Sequence, residues 1–260
     1  VFHFAGIGDI VPSIEKPIEY LDANIMGTAK VLEASKKASV KKFVYSASSS
    51  CYGMAKTPTT EKDAINPLYP YAMSKYLGEK ICFHWNKLYK LPVNSIRIFN
   101  AYGPRVKTTG VYGAVFGVFF KQKLEKKPFT IVGNGNQKRD FIFVTDVVDA
   151  FFKASQTKVS GEVFNLGTGK PSSINSLVKI LGGEKIYLPE RPGEPNITCA
   201  NPKKIKKILK WKPKVKFENG VKIMLKDIQK WKTAPLWTVS SIKKATKSWF
   251  SYMKNINTNG

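Results

Sequence analysis

The chain has 260 residues, 43% of them apolar and 12% aromatic, enough to bury a core as one or two domains. No apolar run approaches the ~18 residues of a membrane-crossing helix, and three cysteines without metal or CxxC spacing (Cys51, Cys82, Cys199) suit a reducing, cytoplasmic location. The formal charge of +25 is mostly lysine, with arginine only at Arg97, Arg105, Arg139 and Arg191; scattered lysines read as a solvated surface, so no nucleic-acid partner is expected.

Val1–Ala5 reads as an apolar strand ending at Gly6, where a backbone can approach a ligand closely. The opening is neither a signal peptide nor a Met start, and a strand already under way there predicts a fragment. Ile18–Ala38 is predicted helical, with Leu21, Ile25, Ala29 and Leu32 on one stripe. Gly27 lies within that helix, where a glycine is unfavourable, so a close neighbour is expected against it. Phe43–Ser46 is the next strand, followed by the hydroxyl-rich run Ser46, Ser48, Ser49, Ser50 and by Tyr52-Gly53.

A turn-rich loop precedes a helix over Tyr71–Tyr89, and Val93–Phe99 is a strand. The loop Val106–Gly113 leads to a helix reaching about Lys126. Strands are predicted over Phe129–Val132, Arg139–Val144, Val163–Leu166 and Lys185–Leu188. Thr145 is the expected cap of a helix over Asp146–Ser155. Further helices fall on Ile174–Leu181, Pro202–Leu209, Asn219–Trp231 and Val239–Met253, the last with Ile242, Trp249, Phe250 and Met253 toward the body. Gly133-x-Gly135 and Gly167-x-Gly169 lack full phosphate-loop spacing and read as turns. No His, Asp or Glu grouping points to a metal.

The chemistry concentrates at Tyr71-Ala72-Met73-Ser74-Lys75. A tyrosine and a lysine at i and i+4 share a helix face. An ammonium near a phenol favours the phenolate, lowering a pKa that is ordinarily ~10 and making the phenol useful as an acid or base. Strand, polar strand end, Tyr/Lys helix and strand together form a βαβ unit whose polar groups gather at the carboxyl ends of its strands.

In order along the chain stand Phe4-Ala5-Gly6, Asn24-x-x-Gly27-Thr28, Ser46-Ala47-Ser48, Tyr52-Gly53, Tyr71-x-x-x-Lys75, Arg97-x-Phe99-Asn100, Tyr102-Gly103-Pro104, Arg139-Asp140 and Arg191-Pro192-Gly193-Glu194. This series resembles the extended short-chain dehydrogenase/reductase family, and more closely its NAD-dependent nucleotide-sugar epimerases and dehydratases. The resemblance runs from Val1 to about Trp231. It implies an α/β fold: a doubly wound, Rossmann-like parallel sheet over residues 1–105, and a smaller α/β domain for the nucleotide sugar over 106–260, with segments near 129–155 returning to the sheet. Relative to the family, the first strand, the glycine-rich pyrophosphate loop and the ribose-binding acid are missing, roughly 70 residues ahead of Val1.

The resemblance also implies roles. Tyr71 is the acid/base, Lys75 holds the nicotinamide ribose and tunes Tyr71, and Ser48 bridges substrate and tyrosine. Ala5, Gly6, Asn24 and Ser46 match NAD-side positions. Asn100, Arg139, Arg191 and Glu194 match substrate positions, the two arginines on the diphosphate and Glu194 on the nucleoside ribose. Arg97 and Arg105 are left with structural roles. Dehydratases of the family carry an added carboxylate pair where this chain has Ser49 and Ser50, and no extra cation marks a uronate pocket. The expected reaction is therefore C4 epimerisation of UDP-glucose and UDP-galactose by way of a 4-keto sugar, in a homodimer. Another reaction of the family and a non-catalytic nucleotide-sugar or NAD-binding protein remain the alternatives.

Overall fold

The structure is a computed structural model that describes residues 1–106 and 115–258. The chain opens with β1 (Phe2–His3), α1 (Ile10–Glu15) and α2 (Pro17–Leu21), a π-helical turn (Asp22–Met26), α3 (Gly27–Lys37) and β2 (Phe43–Ser48). After a 3₁₀ turn (Ser49–Tyr52) come α4 (Pro70–Tyr89), β3 (Val93–Ile98) and β4 (Asn100–Tyr102). Then follow α5 (Val115–Leu124), β5 (Phe129–Val132), β6 (Lys138–Arg139), β7 (Phe141–Phe143), α6 (Val144–Gln156) and β8 (Glu162–Leu166). The remainder is β9 (Ser172–Ser173), α7 (Ile174–Leu181), β10 (Lys185–Leu188), α8 (Lys203–Leu209), α9 (Phe217–Lys226), a 3₁₀ turn (Ile228–Trp231), α10 (Val239–Ala245) and α11 (Lys247–Thr258).

A four-stranded parallel sheet, in the order β1-β2-β3-β8, carries the N-terminal half. Its strands read as apolar because both faces are covered, the usual state of a parallel sheet. On β2, Phe43, Tyr45 and Ala47 pack with Leu32 and Cys82 from α3 and α4. Val44 faces the other way, toward Val147, Phe151 and Ile205 from α6 and α8. This is the doubly covered α/β arrangement expected. A second core, built on Tyr102, Phe120, Phe129, Phe143, Leu177, Met224 and Trp231, unites α5, α7, α9 and the short strands.

Several elements differ from expectation for local reasons. The helix expected over Ile18–Ala38 is interrupted by the π turn. Asn24 sits in that turn 1% exposed, and the widened turn lets its amide point inward, a typical use of a π bulge. Gly27 has no tight neighbour, since an added Cβ would stand 3.6 Å from the Asp22 carbonyl oxygen. The close approach is at Gly78 on α4, where a Cβ would overlap the Tyr45 hydroxyl. The strand expected over Arg139–Val144 breaks at Asp140. Its wholly buried carboxylate accepts hydrogen bonds from the backbone N–H groups of Thr168, Gly169 and Ala200 (2.7, 2.9 and 2.9 Å), so β6 pairs with β9 and β7 with β4.

Thr145 is not a cap; α6 already begins at Val144, with Phe143 at the N-cap and no side-chain capping bond. Phe129–Val132 does not return to the main sheet but pairs in parallel with Lys185–Leu188. The segments that do return are α6 and β8, because their apolar faces match the sheet's second face. Asn219–Trp231 divides into α9 and a 3₁₀ turn, and the last predicted helix divides into α10 and α11. The predicted loop at 106–113 lies outside the described residues beyond Val106. No helix among the described residues is long and apolar enough to cross a membrane. The three cysteines are free and buried.

Candidate active site

The start of α1, the carboxyl ends of β2 and β3 and the first turn of α4 converge on one cavity of about 450 Å³. Its wall carries Ser48, Ser49, Ser50 and Tyr71 together with Asn100, Arg139, Arg191 and Glu194. A smaller cavity of about 350 Å³, lined by Asn134, Asn136, Gln137 and Glu190, shares Arg139, Arg191 and Glu194 with it.

Ser48 ends β2 and caps the following 3₁₀ turn, accepting from the Ser50 N–H at 3.2 Å. Its hydroxyl also lies 2.8 Å from the Ser50 hydroxyl and near enough to the Tyr71 phenol to lower its pKa. Burial raises the phenol's pKa, and the Ser48 hydroxyl acts against this rise. The expected tuning of Tyr71 by Lys75 is not seen: Lys75 is not among the groups that act on the phenol, and the carboxylate of Asp9 raises its pKa further. Lys75 instead lies over β2, its Nζ 4.7 Å from the centre of the Tyr45 ring. It is 7% exposed and has no hydrogen-bond acceptor among the described residues, and burial lowers its pKa to about 8.

Asn24 ties the loop after β1 to α4. Its Oδ1 accepts from the Ile7 N–H at 2.9 Å, and its Nδ2 donates to the Ile7 carbonyl at 3.0 Å and to Ser74 Oγ at 2.9 Å. Ser74 Oγ donates in turn to the Tyr71 carbonyl at 2.9 Å. Gly6 sits inside this corner, where an added Cβ would stand 2.6 Å from Asn24 Oδ1 and 3.7 Å from Lys75 Nζ. Ala5 is exposed beside it. Ser46, two residues before Ser48 on β2, is half-buried and outside the cavity wall.

The polar end of the cavity is built by β6 and the loop after β10. Arg139 donates to the carbonyls of Lys138 (3.0 Å) and Pro195 (2.8 Å) and to Glu194 Oε1 (2.6 Å). Arg191 reaches Glu194 Oε2 at 3.6 Å, so one carboxylate lies between two guanidinium groups. Asn100 accepts a 2.9 Å hydrogen bond from Thr198 Oγ1. Behind the site, Arg97 is paired with Glu79 at 2.5 Å and donates to the Tyr52 hydroxyl at 2.6 Å. Tyr52 donates to Asn165 at 2.7 Å, which anchors the turn that follows Ser48.

Asp9, Thr198 and Trp249 also line the cavity or touch its residues, and nothing local in the sequence marks them. The apolar stripe of the last helix gave a partial signal for Trp249, as a residue facing the body. No cluster of potential metal ligands occurs among the described residues.

Residues 1–167 match the NAD dependent epimerase/dehydratase family. A UDP-glucuronate 4-epimerase of Thermodesulfobacterium geofontis is 35% identical over 251 residues, covering 94% of this chain and 75% of that protein. The crystal structure of a UDP-glucuronic acid 4-epimerase from Bacillus cereus, in complex with UDP-glucuronic acid and NAD, is similar with a TM-score of 0.81 and 33% identity, over 88% of this chain and 74% of that one. That of a UDP-glucose 4-epimerase with UDP-glucose from Thermotoga maritima has a TM-score of 0.83 and 33% identity, over 88% and 77%.

Proposed function

The chain belongs to the NAD-dependent epimerase/dehydratase family, and from that membership we propose that it interconverts UDP-glucose and UDP-galactose by transient oxidation at C4. The observation that carries the reading is one cavity lined both by Ser48 and Tyr71, whose hydroxyls act on one another, and by the guanidinium groups of Arg139 and Arg191. The first is suited to moving a proton at a sugar hydroxyl, the second to holding a diphosphate.

NAD fits the residues at the β1 end. Lys75 is a buried ammonium without an acceptor among the described residues, next to a corner that Gly6 leaves open. Ala5, Gly6, Asn24 and Lys75 are the residues that would hold the cofactor, with Lys75 donating to ribose hydroxyls. When bound, NAD supplies the acceptor and later the donor for the sugar's hydride. The protein's share is the proton. Ser48 receives the C4 hydroxyl proton and passes it to Tyr71, and the same pair returns a proton when the keto oxygen is reduced on the other face. Burial keeps Tyr71 protonated at rest, ready for the returning half. The withdrawing half needs the phenolate, and the Ser48 hydroxyl is the neighbouring group that lowers the phenol's pKa toward it.

A neutral hexose suits the cavity better than a uronate. Among its described lining residues the only charged group besides Arg139, Arg191 and Glu194 is Asp9, and its negative charge already acts on Tyr71. A sugar carboxylate would meet repulsion there. Ser49 and Ser50, lacking carboxylates, also give no acid and base for dehydration.

The test is turnover of UDP-glucose with NAD supplied, followed by chromatography of UDP-galactose, with UDP-glucuronate in parallel. Tyr71→Phe should lower turnover by ~10²–10⁴-fold and leave UDP binding within about twofold. Normal turnover in that variant, or faster turnover of UDP-glucuronate than of UDP-glucose by the unmodified chain, would refute the reading.

A further inference from the structure

The C-terminal helix lies across the cleft and is attached on both sides of it. Ser248 Oγ donates to Glu15 Oε1 on α1 at 2.6 Å, and the Tyr252 hydroxyl donates to the Leu68 carbonyl, just ahead of α4, at 3.2 Å. Both anchors belong to the half that carries the sheet. Trp249, on the same helix, donates its indole N–H to the Pro192 carbonyl at 3.0 Å, and Met253 packs directly against Gly193. Those contacts belong to the loop that presents Arg191. Val11, Trp249 and Met253 form a small apolar cluster under the bridge.

The loop over 189–197 has no helix or regular strand of its own, and Pro189, Pro192 and Pro195 remove three of its backbone donors. Its conformation is therefore set by what packs on it. Trp249 is 6% exposed, lines the same cavity as Tyr71, and lies with its ring centre 5.6 Å from the Arg191 guanidinium carbon. Arg191 is held from another side by Glu194. An indole under a planar cation fixes the orientation of its donor fork as well as its position.

We propose that Trp249 is a positioning residue of the nucleotide-sugar site, and that α11 is a clasp presenting Arg191 to the diphosphate of the ligand. This rests on the reading that Arg191 binds the diphosphate. It makes the chain's last helix part of the binding site.

The experiment is a calorimetric titration of the full chain with UDP, alongside an NMR titration with uridine, which lacks the phosphates. Trp249→Ala should weaken UDP binding about tenfold, and Trp249→Phe, which keeps a ring but loses the N–H bond, about threefold. Uridine binding should change by less than about twofold in both. In an Arg191→Ala background the further loss from Trp249→Ala should fall below about twofold, because the indole acts through the arginine. Equal losses for UDP and uridine, or an undiminished loss in the Arg191→Ala background, would overturn the proposal. So would unchanged UDP binding in Trp249→Ala while Arg191→Ala alone weakens it. Unchanged UDP binding in Arg191→Ala itself would instead remove the diphosphate assignment on which the proposal stands. Should Trp249→Ala not fold, as judged by circular dichroism, Trp249→Phe decides: UDP binding equal to that of the unmodified chain rejects the clasp.

Discussion

Lys75→Met should make the protein more stable while removing a residue of the proposed site. Lys75 is 7% exposed, and its pKa falls from 10.5 to about 8 through burial. Holding the charged form there at neutral pH therefore costs about 3 kcal/mol relative to the unfolded chain. The cation–π contact with Tyr45, at 4.7 Å, returns about 1 kcal/mol. Methionine fills a similar volume without the charge, so the variant should gain about 2 kcal/mol at pH 7. For a chain of 260 residues unfolding with an entropy of about 2.1 cal/mol/K per residue, that is a rise in Tm of about 4 °C.

The pH dependence gives a sharper check. Between the folded value near 8 and the unfolded 10.5 the unfolded chain binds more protons at this site, so the native protein gains stability as pH rises through that window. Thermal unfolding followed by circular dichroism at pH 7, 8, 9 and 10 should show the difference between Lys75→Met and the unmodified chain shrinking toward pH 10. A variant no more stable at pH 7, or a difference independent of pH, would refute the reasoning.

Two further outcomes follow from buried groups behind the site. Arg97→Met leaves the Glu79 carboxylate buried without its guanidinium partner and should lower stability by about 3–5 kcal/mol in urea unfolding, whereas a loss below about 1 kcal/mol would mean that the pair is not the anchor described. His3 is buried, hydrogen-bonded to Thr28 at 2.9 Å, and held at about 4 by burial and by Lys75; its folded pKa is depressed, so stability should fall as pH drops from about 6.5 toward 4, and His3→Gln should flatten that fall in acid-unfolding curves.

Much of the fold was legible because its elements carry strong local signals. Ile174–Leu181 and Lys185–Leu188 have the predicted bounds, and the Tyr71 helix differs by one residue at its start. The contact between Ser48 and Tyr71 was also foreseeable, since a strand end and the first turn of the next helix meet in any βαβ unit. What stayed hidden was tertiary. Periodicity could not show that Asn24 turns inward through a π turn, because its amide is claimed by Ile7 and Ser74 from elsewhere in the chain. Sequence spacing put Lys75 beside Tyr71, yet the side chain lies over Tyr45. Asp140 looked like an ordinary strand residue until the turn at Thr168–Gly169 supplied its donors. The arginines were marked by their scarcity, while Trp249 is one aromatic among many and gains its place only when α11 crosses the cleft.

Glu194 has a consequence for how an anion enters. Sitting between Arg139 and Arg191, it already provides the counter-charge that two neighbouring guanidinium groups need to stay close. On the proposed reading, an arriving diphosphate would not fall into a bare positive well; it would take over the hydrogen bond from Arg139 and the ion pair with Arg191 that a resident carboxylate is making. Admission becomes an exchange of one acceptor for another. The exchange favours a ligand whose spaced oxygens can engage both forks together, and it gives little to a compact ion that reaches only one. The lysines spread over the surface cannot make that distinction, and on the proposed reading selectivity for the extended anion would lie with this three-residue fork.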